Sequence, residues 1–475
     1  MIKLIEVLLT AEIYNRYEEL KEDDIPKELR KLFYQNGGIR RPLVVKYDTL
    51  KKHGNPEEVK KLPFVDFNNF NKQFKITSLE LAAKWFVKNG IELIKKNPVL
   101  AYYFQNFDSV GVSYEEVKRE VEPIYSDREW VKLKVEELSK DESYAEMLTL
   151  VRIYSPEEIN VDFSDVALEE EQLLEVKKIE IAIREREYLR RIGLTDVGKL
   201  LFVGPPGTGK TTTARALSKK LMLPLVEVRL SMITSQYLGE TSKNIEKVFE
   251  IAKKLSPCIL FIDEFDYVAK TRTSDEHAAV KRAVNTLLKS IDEINLVEHG
   301  VLLIAATNHP SLLDAAVWRR FDKIVEFPEP SEKVRRRIFE MMLSKLGGDY
   351  DVERLVKETE GFTGAEIKLV VREAVLSALL DGKRVPTMED LLKAIEAMKG
   401  RIELKKSYRN EGRAVGDWRF PGNSGYRLPL QNLRGREKKR LGEEEVFGFN
   451  SERGEEHSHR HISRHAFPAF ENGHR

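Results

Sequence analysis

Short apolar runs alternate with amphipathic stretches in the middle of the chain. The runs are LLFVG, PLVEVRL, CILFID, VLLIAATN and KIVEF. Between them, apolar positions recur with helical spacing and predict helices at about 210–222, 242–255, 277–294 and 312–319. Buried strands that alternate with helices are typical of a parallel sheet covered by helices on both faces. The pattern therefore predicts an α/β fold for this part of the chain.

The pattern changes on both sides of this segment. After Pro330 no further strand pattern appears, and helical periodicity predicts a small helical domain with helices at about 331–346, 351–359, 364–380 and 387–399. Before it, an approximate helical stripe that includes Leu79, Ala82 and Phe86 is typical of packed core in a mixed, mainly helical region. The predicted segments are 1–155, 156–330, 331–400 and 401–475.

Residues 401–475 lack this periodicity and are rich in Arg, Gly, Asn, Ser and Glu, so we predict a disordered tail. The tail contains four neighbouring histidines, His457, His459, His461 and His465. Such a set binds a transition metal when it is ordered. The composition favours the alternative, a solvated low-complexity tail.

Composition and charge narrow the classes of protein. The 79 basic and 78 acidic residues give a net charge of +1, which disfavours nucleic acid and anionic lipid as general partners. The only cysteine, Cys258, lies in an apolar run that predicts a buried strand, so a reducing, cytoplasmic location is expected. The apolar runs are too short to span a bilayer, and we expect no membrane partner.

The segment GPPGTGKT, residues 204–211, follows an apolar strand and precedes a helix. Its glycines permit backbone angles that turn successive amides toward a β-phosphate, and the helix presents its positive end to the anion. Lys210 is expected to reach the β- and γ-phosphate oxygens, and Thr211 to bind Mg²⁺. We predict that ATP is held by Gly204, Pro205, Pro206, Gly207, Thr208, Gly209, Lys210, Thr211 and Thr212.

About fifty residues later, an apolar run ends in Asp263 and Glu264. Ligands of open α/β sheets bind at the carboxyl ends of the strands, which is where this pair is predicted to lie. Asp263 is expected to hold Mg²⁺ through water, and Glu264 to act as the general base that activates the attacking water.

These motifs resemble those of the AAA ATPase family, and the resemblance extends over about residues 160–400. It implies a P-loop NTPase sheet followed by a helical lid, with Mg²⁺ and ATP as ligands. In ATNHP, Asn308 matches the sensor that orients the attacking water. In LDAAVWRRFD, Arg319 and Arg320 match the arginine fingers that reach a neighbouring subunit's site, as an adjacent pair similar to that of katanin- and spastin-type members.

The resemblance also implies further contacts. Gly364 and Ala365 in GFTGAEI match the second sensor region of the lid near the adenine. Asp165 and Val166 in FSDV stand where the family contacts the base, although Ala167 and Leu168 replace its glycine-rich continuation. In SQYLGE, the residues Tyr237, Leu238 and Gly239 resemble the pore loop that grips an extended polypeptide.

The resemblance to proteasomal-regulatory and katanin-like modules implies a homo-hexamer that couples Mg-ATP hydrolysis to protein unfolding or remodelling. The N-terminal 155 residues would select substrates or adaptors, and a separate peptidase is a possible partner. The alternatives are a nucleic-acid-dependent AAA+ motor or clamp-loader-like ATPase, and a scaffold that binds ATP without turnover. A membrane-tethered AAA protease is disfavoured because the sequence contains no H-E-x-x-H zinc motif.

Overall fold

A computed structural model of the protein describes residues 1–35, 38–230, 241–266 and 278–410. The strands are β1 Tyr34–Gln35, β2 Gly38–Ile39, β3 Val45–Lys46, β4 Val65–Asn68, β5 Gln73–Ile76, β6 Val151–Tyr154, β7 Lys199–Val203, β8 Leu225–Arg229, β9 Cys258–Asp263, β10 Val301–Thr307 and β11 Lys323–Glu326. The N-terminal helices are α1 Ile2–Arg16, α2 Lys27–Phe33, α3 Tyr47–Lys51, α4 Pro56–Val59, α5 Leu79–Ile94, α6 Pro98–Phe104, α7 Tyr114–Glu120, α8 Arg128–Ser139 and α9 Glu142–Leu148.

The helices that follow are α10 Glu170–Arg184, α11 Arg186–Arg191, α12 Lys210–Leu221, α13 Thr241–Lys254, α14 Ala278–Asp292, α15 Leu296–His299, α16 Ala315–Trp318, α17 Glu332–Leu343, α18 Val352–Glu358, α19 Gly364–Leu380 and α20 Met388–Asn410. Short 3-10 turns occur at Glu22–Asp24, Ile124–Ser126, Pro156–Glu158, Phe163–Asp165 and Pro310–Leu312.

A six-stranded sheet in the order β11-β7-β10-β9-β8-β6 forms the centre of the predicted α/β segment. Successive residues of a strand point to opposite faces, and both faces are covered. Leu201 and Val203 of β7 pack into one hydrophobic cluster, whereas Leu200 and Phe202 pack into another. The predicted parallel sheet flanked by helices is therefore confirmed.

Strand β6 is an addition that the sequence pattern did not predict. It pairs antiparallel with β8 at the edge of the sheet, with Val151 opposite Val228. The residues before it also join this part of the molecule, since Leu138 and Met147 belong to one of the sheet's clusters. The predicted boundary after residue 155 thus cuts off an edge strand, because a four-residue run carries too little periodicity to be recognised.

The N-terminal region has a core of its own, built around α1, whose side chains from Leu4 to Leu9 are all buried. Besides the predicted helices it contains a three-stranded antiparallel sheet in the order β3-β5-β4. A fully buried ion pair joins α2 to the start of α8, with 2.7 Å between Arg30 Nε and Asp127 Oδ2. Tyr34 donates a further hydrogen bond of 2.9 Å to the same carboxylate.

Helices α17 to α20 pack around a separate cluster that includes Phe339, Leu355 and Ile367. Thr363 caps α19, and its side chain and that of Glu366 form a reciprocal capping box. The disordered tail predicted from residue 401 is wrong for residues 401–410, because α20 continues through Asn410. That stretch keeps the helix formers Glu403, Leu404 and two lysines. The four tail histidines lie outside the described residues.

Candidate nucleotide-binding site

The glycine loop takes the shape that its sequence predicts. Gly204 has φ +150°, and a Cβ there would stand 2.0 Å from the carbonyl oxygen of Phe327, so no side chain fits. Gly209 has φ +101° and directly precedes α12 as its N-cap. The loop therefore leads from a buried strand into the N-terminus of a helix, the arrangement that binds phosphate.

Lys210 is buried in this loop, with 6% of its surface exposed. Its ammonium donates hydrogen bonds to the carbonyl oxygens of Gly204 at 2.7 Å and Pro205 at 2.8 Å. Burial lowers the pKa of Lys210 to about 8, although the charges of Asp263 and Asp266 oppose this shift. The loop thus holds a cation at its centre whose charge is unusually easy to remove.

Asp263 and Glu264 lie at the carboxyl end of β9 as predicted. The Thr211 hydroxyl donates a hydrogen bond of 3.0 Å to Asp263 Oδ2, which joins the two predicted metal ligands. The backbone amide of Glu264 donates to Asp263 Oδ1 at 2.9 Å. Glu264 has φ +56°, a left-handed conformation that non-glycine residues seldom adopt and that occurs at functional sites.

The structure brings most of the predicted site residues to one cavity of about 880 Å³. Asp263, Glu264 and Asn308 line one part of it, next to the glycine loop. The predicted base-contact and lid residues also line it; they are Asp165, Val166, Gly364 and Ala365. The cavity therefore lies between the carboxyl edge of the sheet and the lid, at the edge where ligands of open α/β sheets bind.

Several lining residues were not predicted from the sequence. Ile338, Met341 and Met342 of the lid give the cavity an apolar side, and Arg229, Lys368 and Arg372 add cations. Helical periodicity alone cannot separate such residues from ordinary core or surface positions. Another unpredicted residue, Asp266, is buried and accepts a hydrogen bond of 3.2 Å from the hydroxyl of Thr307, next to Asn308.

The lid contacts the glycine loop directly. The amide of Ala365 donates a hydrogen bond of 3.1 Å to the carbonyl of Gly207. At the rim, Lys345 lies 2.8 Å from the carboxylate of Asp165, and this hydrogen bond lowers the pKa of Asp165. Asp165 thereby links the base side of the cavity to the lid.

The two predicted finger arginines have different environments. Arg320 Nε donates to the carbonyl of Leu288 at 3.2 Å and to Asp292 Oδ2 at 3.1 Å. Arg319 is exposed, and within the described residues its guanidinium makes no hydrogen bond or ion pair. Neither arginine lines the cavity of its own chain. Asp322 anchors the segment, since its carboxylate accepts hydrogen bonds from the amides of Gly198 and Lys199 at 2.6 and 2.8 Å.

The predicted pore-loop residues Tyr237, Leu238 and Gly239 lie outside the described residues.

In the described ranges, no group of three or more His, Cys, Asp or Glu side chains is placed to hold a metal ion. Thr211 and Asp263 nevertheless offer a hydroxyl and a carboxylate, the hard oxygen ligands that suit Mg²⁺ when phosphate and water supply the others. Over the same ranges, no helix is long and apolar enough to cross a membrane.

A glycine loop between strand and helix, an acidic pair at a neighbouring strand end and a helical lid together define a P-loop nucleotide-binding protein. Two family profiles match in these regions. The AAA profile, ATPase family associated with various cellular activities, matches residues 200–329, and the AAA+ lid domain profile matches residues 349–393. The chain belongs to the AAA family of ATPases.

Similar proteins include proteasome-activating nucleotidases. That of Methanothermobacter thermautotrophicus is 34% identical over 262 residues, which are 54% of this chain and 64% of the relative. That of Saccharolobus solfataricus is 36% identical over 264 residues, 53% of this chain and 67% of the relative. An uncharacterized AAA family ATPase of Sinorhizobium fredii is 40% identical over 214 residues, 45% of this chain and 64% of the relative. The chain thus spans about two thirds of the length of the Saccharolobus relative. It spans slightly less than two thirds of the Methanothermobacter and Sinorhizobium relatives.

Proposed function

We propose that the protein hydrolyses Mg-ATP in the cavity between sheet and lid. The observation that carries the proposal is the meeting of Lys210, Asp263 and Glu264 in one cavity, beside the glycine loop. Lys210 binds the phosphates, while Thr211 and Asp263 would hold Mg²⁺, which neutralises phosphate charge when bound. Glu264 accepts a proton from the attacking water, and Asn308 orients that water.

We propose further that the active form is a homo-oligomer, and specifically a hexamer. In P-loop NTPases an arginine finger, supplied in cis or by a neighbouring protein, stabilises the charge of the transition state. Because neither Arg319 nor Arg320 lines the cavity of its own chain, a finger from this pair would have to come from a neighbouring subunit. The exposure of Arg319 supports that residue as the trans finger. The contacts of Arg320 with Leu288 and Asp292 support a different role, which is to hold the segment that presents Arg319.

The proposed use of hydrolysis is to unfold or remodel proteins in the cytoplasm. The resemblance of Tyr237, Leu238 and Gly239 to a substrate-gripping loop supports this, as does the similarity to proteasome-activating nucleotidases. An aromatic side chain grips varied sequences because it offers a large apolar contact area. Residues 1–155 would select clients or adaptors, and a peptidase chamber is a further proposed partner.

The proposal is tested by measuring ATPase rates across protein concentrations, with unfolded protein or with DNA and RNA added. We expect the rate per subunit to rise with concentration, and unfolded protein to stimulate it. Tyr237→Ala should keep basal ATPase but lose substrate processing. Stimulation by nucleic acid alone would favour the AAA+ motor or clamp-loader alternative, and ATP binding without turnover would favour a scaffold.

A further inference from the structure

Arg229 is the last residue of β8 and lines the nucleotide cavity, yet no motif in the sequence pointed to it. In the parallel ladder between β8 and β9, Arg229 lies opposite Asp263. Residues opposite each other in neighbouring strands point to the same face of the sheet. Arg229 therefore extends from the same face and the same carboxyl edge as Asp263.

Two further contacts identify that face. Glu227, two residues before Arg229 and hence on the same face, is bound by Arg215 of α12 through Nε at 3.0 Å and Nη2 at 2.8 Å. Asp263 likewise meets α12 through the Thr211 hydroxyl. The face that carries Arg229 is thus the one on which the phosphate-binding helix lies. Since Glu227 already has Arg215 as its partner, Arg229 is not needed to neutralise it.

Arg229 is exposed and lines the cavity, and its side chain does not stabilise another part of the described fold. Within the described residues its guanidinium makes no hydrogen bond or ion pair. The sheet and its loops contribute only one other cation to the described lining, Lys210, because Lys345, Lys368 and Arg372 come from the lid. A guanidinium binds phosphate oxygens in a planar, bidentate geometry and keeps its charge at any physiological pH.

We propose that Arg229 binds the γ-phosphate of ATP held in its own subunit, and so makes the site discriminate ATP from ADP. The inference rests on the proposed ATP site. In that site Arg229 would be a cation from the same subunit as the ATP, in addition to Arg319 from the neighbouring subunit. Its basis is the position of Arg229 beside Asp263, at the end of the cavity where Glu264 and Asn308 lie. The lid residues Ile338 and Met342 are apolar, so they suit contact with the nucleotide base and not with its phosphates.

The test is the affinity of the full chain for Mg-ADP and for the Mg complex of β,γ-imido-ATP, measured for wild type, Arg229→Ala and Arg229→Lys. We expect Arg229→Ala to weaken binding of the triphosphate analogue by about tenfold or more, the loss of a charged hydrogen bond. Binding of ADP should change by less than about threefold, and Arg229→Lys should recover part of the loss because it keeps the charge. Arg384→Ala, an exposed lid arginine outside the cavity, is the control.

Equal weakening of both nucleotides would overturn the inference, because it would indicate general damage to the site. Unchanged affinity for the analogue would also overturn it, even if turnover fell, since Arg229 would then act on Glu264 and not on the phosphate. If Arg229→Ala does not fold, Arg229→Gln gives the same comparison with an extended polar side chain. Failure of the wild type to bind either nucleotide would instead contradict the proposed ATP site.

Discussion

Ala365 and Gly207 are joined by a backbone hydrogen bond of 3.1 Å, from the amide of the first turn of lid helix α19 to a carbonyl of the glycine loop. A Cβ on Gly207 would stand 3.1 Å both from the Cβ of Ala365 and from Oγ1 of Thr363. The lid thus packs on the loop itself, so the shape of the loop and the position of the lid depend on each other.

Gly207→Ala should therefore weaken nucleotide binding. Gly207 has φ +83°, and alanine in a left-handed conformation costs roughly 1–2 kcal/mol. The added methyl group also presses on Ala365 and separates lid from loop. We expect a lower thermal midpoint and an ADP affinity reduced by about tenfold, measured by calorimetry.

Gly382→Ala is the matched control for that variant. Gly382 has φ +74°, but nothing lies within 4 Å of a Cβ built there. It should lose similar stability through backbone strain and keep the wild-type affinity for ADP. If both variants bind ADP equally well, contact between lid and loop is not important for nucleotide binding.

Glu264→Gln should abolish turnover while preserving ATP binding. Glutamine has nearly the same shape but cannot accept the proton of the attacking water, and a lost general base reduces the rate by about 10²–10⁴-fold. Steady-state ATPase and equilibrium binding measure the two effects separately. Lys210→Ala is the contrasting variant, because it should lose affinity for ATP. A Glu264→Gln protein with wild-type turnover would remove Glu264 from the mechanism.

The affinity for ATP should fall as the pH rises through about 8. Burial lowers the pKa of Lys210 to about 8, so in the absence of ATP the Lys210 side chain loses its proton and its positive charge above that pH. Bound phosphate favours the charged form, and binding at pH 8–9.5 should therefore take up protons. Calorimetry in buffers of different ionisation enthalpy measures this uptake. Affinity and uptake that do not change between pH 7 and 9.5 would contradict the assignment of Lys210.

Arg319→Ala and Arg320→Ala should impair the protein in different ways, the first in ATP turnover and the second in stability. Arg319→Ala should fold and bind ATP normally but lose about 10³-fold or more in turnover, the contribution of an arginine finger. Arg320→Ala removes the contacts with Asp292 and Leu288 and should lose about 1–3 kcal/mol of stability. ATPase assays and thermal denaturation distinguish the two.

Mixing subunits tests whether Arg319 acts in trans. A subunit with Arg319→Ala keeps its own Glu264, and a subunit with Glu264→Gln keeps its own Arg319. Mixed oligomers should therefore regain activity at sites that combine the two intact residues, although each variant alone is inactive. A mixture as inactive as its components would show that Arg319 does not serve a neighbouring site.

The sequence by itself determined the elements that carry strong local signals. The glycine loop, the strand that ends in Asp263 and the helix that follows Lys210 were predictable because backbone freedom and hydrophobic periodicity are properties of consecutive residues. Predicted strand positions agree with β7 to β11 within one or two residues. Buried Cys258 was predicted in the same way, from the apolar residues beside it.

Only the tertiary structure decided which distant residues meet. The edge strand β6 is recognisable through its pairing with β8, and Arg229 becomes notable only because the ladder places it opposite Asp263. Arg319 and Arg320 are adjacent and identical in type, yet one is exposed and the other is bound to Asp292. Such differences arise from packing between residues far apart in the chain, on which local periodicity carries no information.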